Sequence, residues 1–453
     1  MDKRFTVVNR IVFILIFSLF EWNSFAAKNR IIYDRPNSEM ESFFVEAGAK
    51  YIIRYNHTFD SRISVPEGCE IYFEGGSLRG PIFFYNTLLT GNVNLKGSYL
   101  EGAILNSVFY ADWMCSKDGS TDDAAVINNL ISICNHICFP AGIYELKSTV
   151  PSEGQNENLR QYFNFHIGIN RSNICLEGEP GCVFETKLPY GIVGIYSAPY
   201  SIEERIGNIF IRGIEFRTIN DGASFYEVSH SIKTMGVNGL EISNCFFNDF
   251  WGDAICLSHM GDNIQSGEIV RNSNIRIVGN TIIGGGHYNT RNGISVIGGE
   301  NVLIRDNLIV STSRDDMPGA IDVEAPNSVF VVKNIHIVNN TISDCHGTAG
   351  GICIHTNKFG GQAYDIIISK NYIENSRSGL AFVVQKDNCS GSFIITENIV
   401  ENDTYPYQFV GQASTNNWIM VNNIFKSNGP ALGGSIKFNN SIFKNNIVGN
   451  RSL

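Results

Sequence analysis

Charge is scarce in this chain: 17% of its 453 residues are Asp, Glu, Lys or Arg, and 34 basic residues against 44 acidic ones give a formal net charge of −10. No basic run of the kind that tracks a phosphate backbone is present, so nucleic acid is not an expected partner. Low charge together with 44 Gly argues against a helical or coiled-coil protein. No CxxC pair or Cys/His cluster stands at zinc spacing, so no metal ligands are assigned. Beyond the first residues no apolar stretch nears the ~20 needed to cross a bilayer as a helix. What remains, at 43% hydrophobic residues, is enough for one large core.

The chain opens with Lys3, Arg4 and Arg10, an apolar run from Ile11 to Phe20, and Ser24-Phe25-Ala26. This is the order of a secretory signal peptide, so residues 1–26 are expected to be removed and the protein exported, to the periplasm of a Gram-negative cell or beyond it. The mature chain should have no transmembrane segment. All 11 Cys fall after this segment, an odd number, so at least one is free. Spread along a large domain, most read as small buried residues, with an occasional disulfide.

A nine-residue pattern returns in register through the second half: NIFIRGIEF from Asn208, GLEISNCFF from Gly239, NIRIVGNTI from Asn274 and NVLIRDNLI from Asn301. Further copies start at Asn334, Asp365, Ser392, Asn417 and Asn440. In each copy apolar and polar residues alternate, a turn residue follows, and a second short alternation closes the unit: strand, bend, strand. The seventh position is Asn at 280, 307, 340, 371, 398, 423 and 446. Asn tolerates a left-handed bend and can bond to the Asn of the next coil, so a vertical Asn ladder is expected. The pattern predicts an all-β chain, a right-handed parallel β-helix over residues 111–453, preceded by a small β region at 27–110. Thr121 or Asp122 should cap a helix that covers the open end of the stack.

The segment Asp118-Gly119, Thr121-Asp122-Asp123-Ala124-Ala125, a helix and then Phe139-Pro140-Ala141-Gly142-Ile143-Tyr144 resembles the opening of the pectate-lyase-like superfamily of β-helix proteins. Glu74-Gly75-Gly76-Ser77-Leu78 resembles the leader of exported Bacteroidetes members. The resemblance implies the β-helix fold and carbohydrate as the substrate class, since that superfamily includes polygalacturonase-type glycosidases, polysaccharide lyases and uronate epimerases. It transfers no catalytic residue: the Asn-Thr-Asp, His-Gly and Arg-Ile-Lys elements of the polygalacturonases and the Asp-Pro-His of alginate epimerases are missing, and Asp315-Asp316 lacks the expected neighbours.

A third strand recurs as Ala254-ICLS, Gly293-ISVI, Ala320-IDVE, Gly351-ICIH and Gly379-LAFV. Aligning the inward pairs Ile255/Leu257, Ile294/Val296, Ile321/Val323, Ile352/Ile354 and Leu380/Phe382 puts Asp322 and Glu324 together on the outer, solvent face. His355 then stands one coil above Glu324. Residues i and i+2 of a strand lie ~6.5–7 Å apart, at the lower end of the ~6.5–9.5 Å range of inverting glycosidases. The candidate catalytic residues are Asp322, Glu324, His355 and Asp253. Trp251, His259, Arg291, Asn292, Ser295, Asp315, Asp316 and Lys358 are expected to bind substrate, with His287 and Tyr288 on flanking loops. The favoured activity is glycoside hydrolysis, which needs no cofactor. A polysaccharide lyase or uronate epimerase is the alternative, with Ca²⁺ as its cofactor and Arg291 or Lys358 neutralising a uronate. A non-catalytic glycan-binding β-helix is the third reading, and it wants more aromatic platforms than Trp251 supplies.

Overall fold

The computed structural model describes residues 30–33, 44–150, 164–196, 205–219, 226–258, 271–284, 290–312, 314–326, 330–356, 361–385, 391–401, 404–411, 414–426, 432–433, 436–449 and 451–452. The signal-like segment, Cys389, His259, His287, Tyr288 and Lys358 lie outside these residues. The chain divides between Ser107 and Val108 into two compact units. In the first, short strands pair in parallel through Lys50↔Glu70↔Leu88 and Ile63↔Ile82↔Leu100. The small β region is thus itself a parallel stack with short coils.

The second unit is a right-handed parallel β-helix built from three long sheets. Through the middle of the stack, each coil contributes one strand to each sheet. In the first sheet the period of two is visible as solvation: Gly299–Arg305 and Val331–Val338 alternate buried and open side chains. Isoleucine and valine point inward and a charged or polar neighbour points out. The second sheet follows after one bend, with three-residue strands such as Leu308–Val310 and Thr341–Ser343 that bury only their central residue. Phe184, Phe216 and Phe247 follow one another through successive coils at this level, the first two edge to face and the last two stacked.

The bend carries the expected ladder, with one correction. Asn280, Asn307, Asn340, Asn371, Asn398, Asn423 and Asn446 are at most 2% exposed. Each of the first six donates its backbone N–H and side-chain Nδ2 to the Oδ1 of the Asn in the next coil, at 2.9–3.1 Å. Nδ2 also donates to a strand carbonyl of the coil before, as Asn340 does to Ile304 at 3.0 Å. The left-handed residue is the one preceding the ladder: Gly279, Asp306, Asn339, Lys370, Glu397, Asn422 and Asn445 have φ between 57° and 68°. The ladder Asn is selected for hydrogen bonding, because its amide satisfies buried backbone groups that the bend would otherwise strand.

Helix α1, Ala124–Ile133, buries Ala124, Ile127, Leu130 and Ile131 against the first strand of the third sheet, Phe165–Ile169. Asn128 accepts from the Gly168 N–H at 2.9 Å and donates to the His166 carbonyl at 2.8 Å, which pairs an edge that a bare stack would leave open. The cap differs from expectation. Asp123 is the N-cap residue, and its carboxylate turns back to accept the Ser116 and Lys117 N–H groups at 2.8 and 2.9 Å. Asp122 accepts the Ala124 N–H at 3.1 Å, and Thr121 is tied to Asp118. Ten cysteines are free, nine of them buried, so among the described residues there is no disulfide.

Candidate functional site

Six strands of the third sheet frame the site: β1, Ile232–Met235; β2, Ile255–Ser258; β3, Ile294–Val296; β4, Gly319–Glu324; β5, Gly350–His355; and β6, Ser378–Val383. Their register runs Ile232↔Ile255↔Ile294↔Ile321↔Ile352↔Leu380 on the inward side. The outward row is Lys233↔Cys256↔Ser295↔Asp322↔Cys353↔Ala381, and Glu324↔His355↔Val383 forms a second row. This is the predicted phase. Solvent exposure is the correction: Asp322 is 1% and Glu324 8% exposed, and Asn292, Ser295, Trp251 and Asp253 are buried as well. Strand β4 is buried at every position, where strands of the first sheet alternate. The outward side of the third sheet is therefore a second interior, lined by ionisable groups.

Below Asp322 lies a polar cluster whose inner members, His230, Lys233 and Asp253, are buried and whose Arg291 leads out to exposed Glu227. Asp253 ends the turn into β2 and accepts the Asn292 N–H at 3.1 Å, while the Arg291 guanidinium lies 3.6 Å from its Oδ2. Burial raises the Asp253 pKa, and Arg291 opposes it. Asp253 in turn raises the pKa of Arg291, which also reaches Glu227 at 3.5 Å. His230 is held neutral: burial first, then Lys233 and Arg291, push its pKa well below the usual value. Its Nδ1 accepts the Asp253 backbone N–H at 3.0 Å, so the ring carries its proton on Nε2, and its 3.4 Å approach to Asp253 is not an ion pair. Burial pushes the Cys256 thiol up to about 12. Trp251 packs edge-on against Tyr226 at 5.5 Å.

Above it, Asp322, Glu324, Cys353 and His355 occupy the corners of a two-by-two lattice on β4 and β5. His355 Nε2 lies 3.8 Å from Asp322 Oδ1 and 3.4 Å from Cys353 Sγ. The His355 side chain is 14% exposed, so this end of the face reaches solvent. Asn292 and Ser295 are bonded to each other at 3.0 Å, and Asn292 also accepts the Gly319 N–H, so both brace the turns between coils.

Asp315 and Asp316 are exposed and stand apart from this face. Asp316 pairs with Arg314 at 2.6 Å. Asp315 joins His346, Asn375, Ser376, Arg377 and Thr404 around an open polar cleft of about 480 Å³, formed by the turns between the second and third sheets. Strand β1, with buried Lys233, was not found from sequence, nor were His230 and Glu227. Ile232-Lys233-Thr234-Met235 lacks the apolar alternation used to align its neighbours. Cys353 was placed in the ladder and given no role.

No protein-family model and no curated protein matches this chain. Solved structures do. They include ORF18 of Geobacillus virus E2, at 12% identity and a TM-score of 0.50 over 74% of this chain, which spans 59% of that protein's length. PfbA, a surface adhesin of Streptococcus pneumoniae, is similar at 14% identity and a TM-score of 0.49, covering 74% of this chain and 93% of the adhesin. An endo-xylogalacturonan hydrolase from Aspergillus tubingensis is similar at 13% identity and a TM-score of 0.44, covering 73% of this chain and 91% of the hydrolase. Likeness at this level of identity shows the fold alone, and a fold does not fix a function. The chain has a right-handed parallel β-helix fold.

Proposed function

We propose that this chain is an exported carbohydrate-active enzyme that hydrolyses glycosidic bonds at the outward face of the third sheet. The observation that supports it is the placement of two carboxyl groups, Asp322 and Glu324, two residues apart on one side of β4, both withdrawn from bulk water. The strand period sets them ~6.5–7 Å apart at the backbone, near the spacing of a general acid and a water-activating base. His355, beside Asp322, orients that carboxyl and shares its proton. Arg291 and Asp253 bind and fix the substrate edge one and two coils below, respectively, with Trp251 as an apolar wall.

Carbohydrate as the substrate class rests on the resemblance of the Asp118–Tyr144 segment and on the polar character of the face and of the cleft near Asp315. A lyase or epimerase is the second reading, supported by Arg291 and Lys233, cations that would neutralise a uronate carboxylate. For a Ca²⁺-dependent reading the carboxylates at hand are Asp253, which has Arg291 at 3.6 Å, Asp322, which has His355 at 3.8 Å, and Glu324 beside them on β4. Calcium takes about six to eight oxygen ligands, so these carboxylates would need further oxygen donors to hold it.

Incubation with plant, algal and host glycans tests the proposal. New reducing ends without unsaturated uronides support hydrolysis; unsaturated products move the protein to the lyases. Binding without any cleavage would make it a glycan-binding protein. Export is tested by the processed mass and cell fraction of the full chain.

A further inference from the structure

We infer that Asp322, Cys353 and His355 form a three-ligand site for a zinc-type divalent ion, which no sequence motif announces. The carboxylate oxygen, the thiol sulfur and the imidazole nitrogen all lie within 4.8 Å of one another, inside the buried face. Two of the three edges can be compared with a metal centre. Bonds of ~2.3 Å to sulfur and ~2.0–2.2 Å to nitrogen or oxygen, at tetrahedral angles, put sulfur and nitrogen ~3.5 Å apart and nitrogen and oxygen ~3.4 Å apart. The observed separations are 3.4 Å for Cys353 Sγ to His355 Nε2 and 3.8 Å for His355 Nε2 to Asp322 Oδ1. A shift of a few tenths of an ångström closes the site.

Both contacts converge on the same ring nitrogen. A nucleophilic Cys–His–Asp relay would use opposite nitrogens, one facing the thiol and one the carboxylate, so the arrangement suits ligation and not that relay. Sulfur and imidazole beside one carboxylate favour zinc-type ions over Ca²⁺ or Mg²⁺. Apolar neighbours Ala349, Ala381 and Val383 pack around Cys353, the dry shell that confines an ion. Glu324 occupies the remaining corner of the lattice, paired in register with His355.

Two other clusters compete and fall short. His230, Asp253 and Cys256 share their space with the Lys233 and Arg291 charges, and His230 Nδ1 already accepts a backbone N–H. His136 and Glu177 are bonded to each other at 2.8 Å, and Glu177 also holds Arg212 at 2.9 Å on the solvated first sheet.

The inference does not rest on the hydrolytic reading: with an ion bound, Asp322 and His355 serve as ligands and do not exchange a proton, and metal content is read on resting protein. Stripped protein dialysed against Zn²⁺ should retain about one equivalent per chain. Asp322→Asn and His355→Gln should each lower affinity at least ~10-fold with folding unchanged by circular dichroism. With Co²⁺ as probe, a thiolate-to-metal charge-transfer band should appear, vanish in Cys353→Ser and persist in Cys256→Ser. No stoichiometric uptake would overturn the site, as would uptake indifferent to all three ligands or a band lost in Cys256→Ser instead. Zn²⁺ bound by protein that cleaves no glycan leaves this site standing and removes the hydrolytic proposal.

Discussion

The outward faces of the first and third sheets use the same pleat and the same coil spacing, yet they treat charge in opposite ways. On the first sheet, Arg212 meets Glu177 at 2.9 Å, Arg276 meets Glu241 at 3.0 Å and Lys333 meets Glu300 at 2.9 Å, all with side chains about a third to a half exposed. Such pairs are worth ~0–1 kcal/mol and serve solubility and edge protection. On the third sheet, Lys233, Asp253, Asp322 and Glu324 are buried. Buried charge costs several kcal/mol per group before partners repay it, and apolar residues of similar volume would hold the coils together as well. A solenoid needs no such residues for stability, and their concentration on one face is the ground on which the site is proposed there.

The largest contrast should appear in turnover. Glu324→Gln is expected to lower glycan cleavage ~10²–10⁴-fold, the usual cost of losing acid–base assistance, while its thermal midpoint stays level or rises. The matched change on the first sheet, Glu241→Gln, should alter neither turnover nor stability by more than about 0.5 kcal/mol.

Stability should respond at the ladder. Asn340→Ala strands the Ile304 carbonyl and the Asn307 N–H, both bonded to it at 3.0–3.1 Å, so denaturant unfolding should show a loss of about 2–4 kcal/mol. Asn301→Ala, in the exposed row where Asn301 bonds Asn274 at 3.2 Å, should lose only about 1 kcal/mol, from its left-handed φ of 58°.

Acid sharpens the comparison further. His230 is neutral when folded and its folded pKa is depressed, so the unfolded chain binds the extra proton. The stability this histidine preserves is present above the unfolded pKa of ~6.5 and falls by up to about 1.4 kcal/mol per pH unit below it. His230→Gln should flatten the fall of the thermal midpoint between pH 7 and pH 5. The smallest effect is chemical: with its thiol pushed up to about 12, Cys256 should resist alkylation in native protein and react after unfolding.

Register and ladder were legible because a strand has only two faces. Aligning Ile294, Ile321 and Ile352 left no freedom for Ser295, Asp322 and Cys353. The left-handed position was misplaced by one residue because Gly279, Asp306, Lys370 and Glu397 share a conformation and no side chain, whereas the ladder shares a hydrogen-bonding amide. Burial of the outward third-sheet face was illegible for another reason. Whether an outward Asp meets water depends on what crosses over it, and no period within Ala320–Glu324 encodes that. The convergence of Cys353 with Asp322 and His355 shows only once coils are stacked, since Asp322 and Cys353 are far apart in sequence and adjacent in register.

The central claim is that the buried charges of the third sheet serve function at the expense of stability. Its most direct test measures turnover and thermal midpoint together, on one preparation each of wild type, Asp322→Asn and Glu324→Gln. The account predicts cleavage reduced at least ~100-fold in both variants with midpoints unchanged or higher. Full cleavage with lowered midpoints would show that these carboxylates hold the coils together and do nothing to a glycan.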